Sequence, residues 1–229
     1  MASPGHGRID VRTPIDLRMK KESKIPDATI GRISLYSRPL ENLLNKGVLV
    51  VSSERLAEMC RVNPAQVRKD LSYFGEFGVR GIGYSVRDLL NEIKGILASD
   101  RDWRLGIIGM GHLGRALVRH ENFLKRGYKF VAAFDSDPKK IGEMVLPTLV
   151  IEPIEKLKPL TKELNIEVGV IATPPSVAQA VADLFVEAEI RAILNFSPIQ
   201  VRKPKSCLLQ NVDFTVNLDN LAYHLDKNY

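Results

Sequence analysis

The sequence predicts an α/β chain in two parts: a small helical domain with a glycine-rich hairpin, then a doubly wound parallel sheet. Three observations predict it. Two short helical patterns stand either side of the three-residue link Arg61-Val62-Asn63. The segment GEFGVRGIGYSV (75–86) follows, with glycine at 75, 78, 81 and 83. From Leu105 onward, apolar strand-like runs alternate with helical stretches, and the first run closes on Gly109-Met110-Gly111-His112-Leu113-Gly114.

Composition bounds the answer before any element is placed. At 229 residues, 45% hydrophobic and 26% charged, the chain has room for two domains and is neither collagen-like nor disordered as a whole. The longest apolar runs, such as GVLVV (47–51), fall far short of the roughly 18 residues a membrane span needs. The first thirty residues carry charges throughout and no apolar leader core, and Cys60 and Cys207 form neither a disulfide framework nor a zinc site. A cytoplasmic protein without a metal or membrane partner is expected. Residues 1–88 hold 15 Lys+Arg against 10 Asp+Glu, and the remainder 18 against 17, so the basic excess sits in the first third. That asymmetry suits a polyanionic partner for the first domain.

Residues 1–26 hold three prolines and no sustained periodicity, and read as a disordered basic tail, with contact to a DNA backbone as the alternative. From Asp27, a candidate N-cap, Ile30, Ile33, Leu40, Leu43 and Leu44 share a helical face that Pro39 should kink or break. Ser52 or Ser53 caps a second helix with Leu56, Ala57 and Cys60 inward. Asn63 caps a third, with Pro64 at its first position, where a missing N–H costs nothing. There Val67, Leu71 and Phe74 point inward, while Gln66, Lys69 and Tyr73 lie opposite, bordered by Arg68 and Ser72. Two short helices with a tight turn, the second displaying Gln, Arg and Lys, form a helix-turn-helix pattern. A glycine-rich hairpin after such a helix is a wing, and Arg80 at its tip can enter a minor groove. Val86, Leu89, Leu90, Ile93 and Leu97 then make an amphipathic helix leading out of the domain, which spans 27–100.

The second domain covers 101–217. Leu105–Ile108 make a buried strand, Gly109 allows a sharp turn, Gly111 lets a pyrophosphate approach the backbone, and Gly114 lets helix and strand pack closely. A second strand, YKFVAAFD, ends in Asp135, 21 positions beyond Gly114, where an acid accepts from the ribose hydroxyls of NAD and repels the 2′-phosphate of NADP. IEVGVIATPP (166–175) and IRAILNFSP (190–198) read as further parallel strands around the helix 177–187. The loops Thr173-Pro174-Pro175 and Asn195-Phe196-Ser197-Pro198 then lie at strand C-termini, on the ligand side of a Rossmann-type sheet.

QVRKDLSYFGEFGVRGIGYSV (66–86), IIGMGHLGRAL (107–117), FDSDPKKIG (134–142), ILNFSP (193–198) and NVDF (211–214) together resemble the Rex family of redox-sensing transcriptional repressors, from about Ile30 to Asp226. The resemblance implies a homodimer on an inverted-repeat operator, with a winged helix at each N-terminus and NADH- or NAD⁺-binding cores. In that family NADH closes the dimer and releases the DNA. It also implies an exchanged final helix, for which 218–229 is suitable, with Leu218, Leu221, Ala222 and Leu225 on one stripe. Mapped onto this chain, Gln66, Arg68, Lys69 and Arg80 match DNA-binding positions. Gly109, Met110, Gly111, His112, Leu113, Gly114 and Asp135 match the NAD pocket, with Thr173, Pro174, Asn195, Phe196, Ser197 and, beside the nicotinamide, Phe214. Arg38 and Asp213 match redox-dependent interdomain contacts, and His120 falls where the family has a switch tyrosine that partners the aspartate. Histidine is a donor too, and its charge near pH 7 makes that contact sensitive to pH. No catalytic residue is assigned; an NAD-dependent dehydrogenase and a coenzyme A-binding module are the alternative functions.

Overall fold

The computed structural model describes residues 25–79, 81–202 and 207–227. The basic tail apart from its last two residues, and Arg80, lie outside them. The chain divides into two compact units between Ile93 and Lys94, ahead of the boundary near Asp100 that composition suggested.

In the first unit α1 (Asp27–Asn45) runs through Pro39 as one helix, where a kink or break was expected. Proline cannot donate to the carbonyl of Leu35. The thiol of Cys60 lies 3.9 Å from that oxygen and partly occupies the vacant acceptor. Ile33, Leu40 and Leu43 are buried as expected, Ile30 is exposed, and Tyr36, which the apolar pattern omitted, is fully buried.

β1 (Val50–Val51) precedes α2 (Ser53–Cys60), which Ser52 caps by accepting from Arg55 N, and α3 (Pro64–Ser72) follows, capped by Asn63 accepting from Ala65 N. Between them Arg61 takes the left-handed conformation, φ 54°, closed by Val62 N donating to Ala57 O. An L side chain is disfavoured there by about 1–2 kcal/mol. The Arg61→Gly variant should therefore raise the thermal stability of this unit by about 0.5–1 kcal/mol in a melt of the full chain, and an unchanged or lowered midpoint would count against it.

Val79 and Gly83 bridge antiparallel, and the second limb of the hairpin, β2 (Tyr84–Ser85), pairs with β1. A wing follows the second helix of the pair as the glycines predicted. α4 (Val86–Ile96) buries Val86, Leu89, Leu90 and Ile93, and Leu56, Val67, Leu71 and the α1 stripe are buried in the same unit.

The second unit is a seven-stranded sheet of order β5-β6-β4-β3-β7-β8-β9. Its strands are β3 (Trp103–Ile108), β4 (Tyr128–Asp135), β5 (Met144–Leu146), β6 (Leu149–Pro153), β7 (Val168–Ile171), β8 (Ala192–Asn195) and β9 (Leu208–Asn211). All pairings are parallel except β5 with β6. Alternation along the strands feeds two cores: Leu105, Ile107, Ala133 and Val170 on one face, and Ile108, Phe134 and Ile171 on the other. The first core receives Val118 of α5 (His112–Arg119), and the second receives Leu157 of α7 (Leu157–Glu163) and Phe185 of α8 (Pro175–Glu187). α6 (Glu121–Lys125) lies between α5 and β4 in the chain. Strand order reverses on either side of β3, so a crevice opens beyond the C-terminal ends of β3 and β7. α9 (Phe214–Lys227) ends the described chain with none of its side chains buried. Among the described residues, no helix is long and apolar enough to cross a membrane.

Candidate functional site

In the first unit, α3 presents its polar side through residues whose side chains are already engaged. Gln66 Nε2 donates to Asp70 Oδ1 at 2.8 Å, and Arg68 Nη1 ties α3 to α2 through Ser53 Oγ at 2.7 Å and Glu54 Oε1 at 3.1 Å. Lys69 is exposed, and Tyr73 and Phe74 are half-buried. Beneath them sits a group that sequence reasoning missed. Asp70 is fully buried and accepts from Arg32 Nε (2.6 Å) and Nη2 (2.8 Å), Tyr36 Oη (2.7 Å) and Thr29 Oγ1 (3.3 Å) as well as Gln66. Burial alone would raise its pKa, yet the bonds from Arg32, Tyr36 and Gln66 hold it down to about 2. Burial and the same carboxylate push the Tyr36 phenol up. The network fastens the polar helix α3 to α1 and fixes Gln66 at the surface.

In the second unit the glycine fingerprint adopts the expected strand–turn–helix form, and each glycine has a different reason. Gly109 sits at φ +104°, and a Cβ there would meet Ala172 O at 2.6 Å. A Cβ on Gly114 would lie 2.0 Å from Gly109 O, so this position is set by the contact of helix with turn. A Cβ on Gly111 would meet nothing within 4 Å. The protein itself does not require glycine there; the space lies open before the first turn of α5, whose N-cap, Gly111, offers no side chain to the orphan N–H groups.

Asp135, 7% exposed, closes the far side of this cradle. Its Oδ2 accepts from Met110 N at 2.8 Å and Lys140 Nζ at 2.9 Å, and its Oδ1 from Asp137 N at 2.9 Å. Burial opposes its ionisation, but the bonds from Asp137, Lys140 and Met110 prevail and keep the carboxyl below its usual range. Met110 thus serves the cradle through a backbone N–H directed at Asp135, while its side chain is fully buried in the core. His112 and Leu113 are exposed on the first turn of α5. Arg115 Nε donates to Met110 O at 3.2 Å, and its terminal nitrogens grip Glu143 in a two-point ion pair at 2.5 and 2.7 Å. Lys140, Arg115 and Glu143 were not singled out from the sequence; the pair of lysines after the acid in SDPKK is the signal that could have found the first.

Across the crevice, Thr173 Oγ1 and Ser197 Oγ are, among the described residues, the two buried side-chain polar atoms without a hydrogen-bond partner. They stand at the ends of β7 and β8, in the loops expected on the ligand side. An orphaned hydroxyl costs about 1–3 kcal/mol unless something bonds it, and a polar ligand in the crevice would relieve both. Pro174 is exposed at the N-cap of α8. Asn195 is fully buried with its amide engaged inside the protein, to Ser197 O, Ile199 O and Asn211 Oδ1, and from Ser197 N. These bonds fix the loop that follows β8. Phe196 and Phe214 stand 6.4 Å apart at 31°, with Phe214 59% exposed at the start of α9. Open space at Gly111, orphan hydroxyls opposite, and an acid at the second strand fit a dinucleotide.

The expected switch residues are distributed as follows. Arg38 is exposed on α1 in the first unit. In the second, His120 is exposed between α5 and α6 and its Nδ1 accepts from Asn122 N at 3.3 Å, edge-on to Phe123. Asp213 caps α9 by accepting from Thr215 N (2.9 Å) and Thr215 Oγ1 (2.6 Å), which lowers its pKa. The structure does not bring His120 and Asp213 together by any bond among the described residues of this chain.

Comparison with known proteins agrees with both halves. The profile of a family described as Putative DNA-binding protein N-terminus matches residues 24–72, and that of the CoA binding domain matches 100–199. A protein named redox-sensing transcriptional repressor Rex from Syntrophobacter fumaroxidans is 55% identical over 205 residues, 90% of this chain and 98% of that one. The protein of the same name from Maridesulfovibrio salexigens is 46% identical over 90% of this chain and 99% of its own. Among solved structures, RSP in complex with β-NAD⁺ and operator DNA superposes with a TM-score of 0.84 at 34% identity, covering 89% of this chain and 94% of that one. RSP in complex with β-NADH gives 0.82 at 32%, covering 90% and 97%.

Proposed function

The chain belongs to the Rex family of redox-sensing transcriptional repressors, and from that membership we propose that it represses transcription by holding an inverted-repeat operator and letting go when NADH fills the α/β unit. The observation that supports the cofactor half is the cradle at Gly111, where a Cβ would meet nothing within 4 Å among the described residues. NAD(H) lies with its pyrophosphate on the first turn of α5, formed by Gly111, His112, Leu113 and Gly114 behind the turn at Gly109. Its adenosine ribose meets Asp135, and its nicotinamide half meets Thr173 and Ser197, with Phe196 and Phe214 beside it. When bound, the dinucleotide supplies the redox signal; the protein supplies only binding, orientation and the closing of the site.

On the DNA side, Gln66 and Lys69 read base edges, Arg68 and the wing arginine Arg80 add phosphate and minor-groove contacts, and the basic first domain supplies affinity. The protein acts as a homodimer so that two reading helices meet one face of the duplex at half-sites spaced by whole turns. The exposed apolar stripe of α9 is exchanged between the two copies. Arg38, His120 and Asp213 form the contacts that differ between oxidised and reduced states, and NADH shifts the population only by binding the closed form more tightly. A cytoplasmic location is consistent with an operator as partner.

A DNA-mobility assay on an inverted repeat tests this, with NADH and NAD⁺ titrated separately near pH 6.5 and near pH 8, either side of a histidine's charge change. NADH should release the DNA and NAD⁺ should not. Identical behaviour of both nucleotides at both pH values would remove the redox reading while leaving DNA binding intact. Two other readings have their own results. Steady NADH oxidation on adding 2-oxo acids or aldehydes would make the protein a dehydrogenase. Coenzyme A displacing NADH would favour the function named by the profile over 100–199, against which stands the buried negative charge of Asp135 where coenzyme A carries a phosphorylated ribose.

A further inference from the structure

Asp135 holds a partner that the NAD fingerprint does not require. Lys140 Nζ donates to its Oδ2 at 2.9 Å and lies 3.9 Å from Asp137 Oδ2. The lysine is held in place by its backbone: Lys140 N donates to Asp137 O, Glu143 N donates to Lys140 O, and Gly142 N ties the same turn to Ile151 O of β6. The lysine side chain is 31% exposed, against 9% for that of Asp135.

Hydrogen-bond capacity then sets what Asp135 can do for a ribose. A carboxylate offers about four lone-pair sites. Met110 N, Asp137 N and Lys140 Nζ take three of them. One acceptor site remains, whereas a ribose diol brings two hydroxyls. An ammonium has three protons, and the bond to Asp135 uses one of them. We propose that Lys140 is the second half of a ribose clamp and a determinant of cofactor choice. It donates to the hydroxyl that Asp135 cannot serve, while Asp135 cancels its charge so that a 2′-phosphate gains nothing from it.

This rests on NAD(H) binding in the cradle and goes further: the site contains a phosphate-binding cation that one carboxylate keeps silent. Discrimination is a difference between two affinities, and here both sides of it come from one ion pair. Removing the acid uncovers the cation for a 2′-phosphate. Removing the lysine leaves the acid to repel the phosphate alone and weakens the grip on the diol.

Calorimetric titration of the full chain with NADH and with NADPH tests this on four proteins: the natural sequence, Lys140→Met, Asp135→Asn, and the double variant. Lys140→Met should bind NADH about tenfold more weakly, the loss of one charge-assisted bond. Asp135→Asn should raise NADPH affinity relative to NADH by at least about tenfold, and the double variant should lose that gain, because a charged partner for the phosphate is worth at least that factor. A merely structural lysine would leave the NADPH-to-NADH ratio unmoved between Asp135→Asn and the double variant, and that equality would overturn the proposal. So would Lys140→Met binding NADH as the natural sequence does, a result that stands whether or not the Asp135 variant folds. Absence of NADH binding by the natural sequence is a different failure; it removes the cradle reading itself.

Discussion

The Asp70→Ala variant is expected to cost the first unit about 3–5 kcal/mol, as removing one partner of a buried ion pair does, and to abolish operator binding. The carboxylate is fully buried and serves donors on two helices, Arg32, Tyr36 and Thr29 on α1 and Gln66 on its own helix. Alanine leaves the buried Tyr36 phenol without its acceptor and the partly exposed Arg32 guanidinium without its partner. The pH dependence has a definite sign. Asp70 is held at about 2, below the ordinary value of 3.8. Its contribution is therefore complete above about pH 4 and is lost as pH falls through about 2. Calorimetry of the full chain should show the transition of the first unit lowered in Asp70→Ala, with NADH titration unchanged; Asp70→Asn should remove the acid-sensitive part. A first transition at the natural temperature would refute the account.

A pair of alanine substitutions at the fingerprint separates fold from ligand. Gly114→Ala places a methyl 2.0 Å from Gly109 O, on a turn whose Gly109 N is bonded to Phe134 O. Neither side can retreat without parting α5 from β3, so a loss of about 3 kcal/mol, at the upper end for overpacking, is expected. Gly111→Ala meets open space at an ordinary φ of −78°. Its cost to the fold is about 1 kcal/mol at most, that of an alanine N-cap. Its cost to NADH is the closest approach of pyrophosphate to backbone, so the variant should still bind operator and no longer release it. Release of the Gly111→Ala variant by NADH at natural concentrations would show that the dinucleotide lies elsewhere.

What the sequence made legible is what short-range chemistry encodes. Ser52, Asn63 and Pro64 mark helix starts because capping is decided within three residues, and Gly109 to Asp135 declare a strand–turn–helix–strand in one stretch. Short elements escaped: β5 spans three residues and α6 five, too few to show a period. Pro39 misled because its missing bond is local, while the Cys60 thiol near the vacated carbonyl comes from another helix. Asp70 escaped for the same reason. In QVRKDLSYF it reads as one more surface acid, and the partners that bury it lie 34 to 41 residues away. Lys140 was visible as a charge, but its alignment on Asp135 depends on a turn tied to β6.

For the proposed role of Gln66 at a base edge, its bond to Asp70 has a consequence for how tightly DNA would be held. A free glutamine samples many rotamers, and freezing one at an interface costs about 0.5–1.5 kcal/mol of affinity. Here that ordering is completed when the polypeptide folds, because one amide hydrogen is anchored to an immobile carboxylate and the remaining hydrogen and oxygen stay available. In the proposed role at a base edge, Gln66 would meet the groove with its conformational entropy already given up.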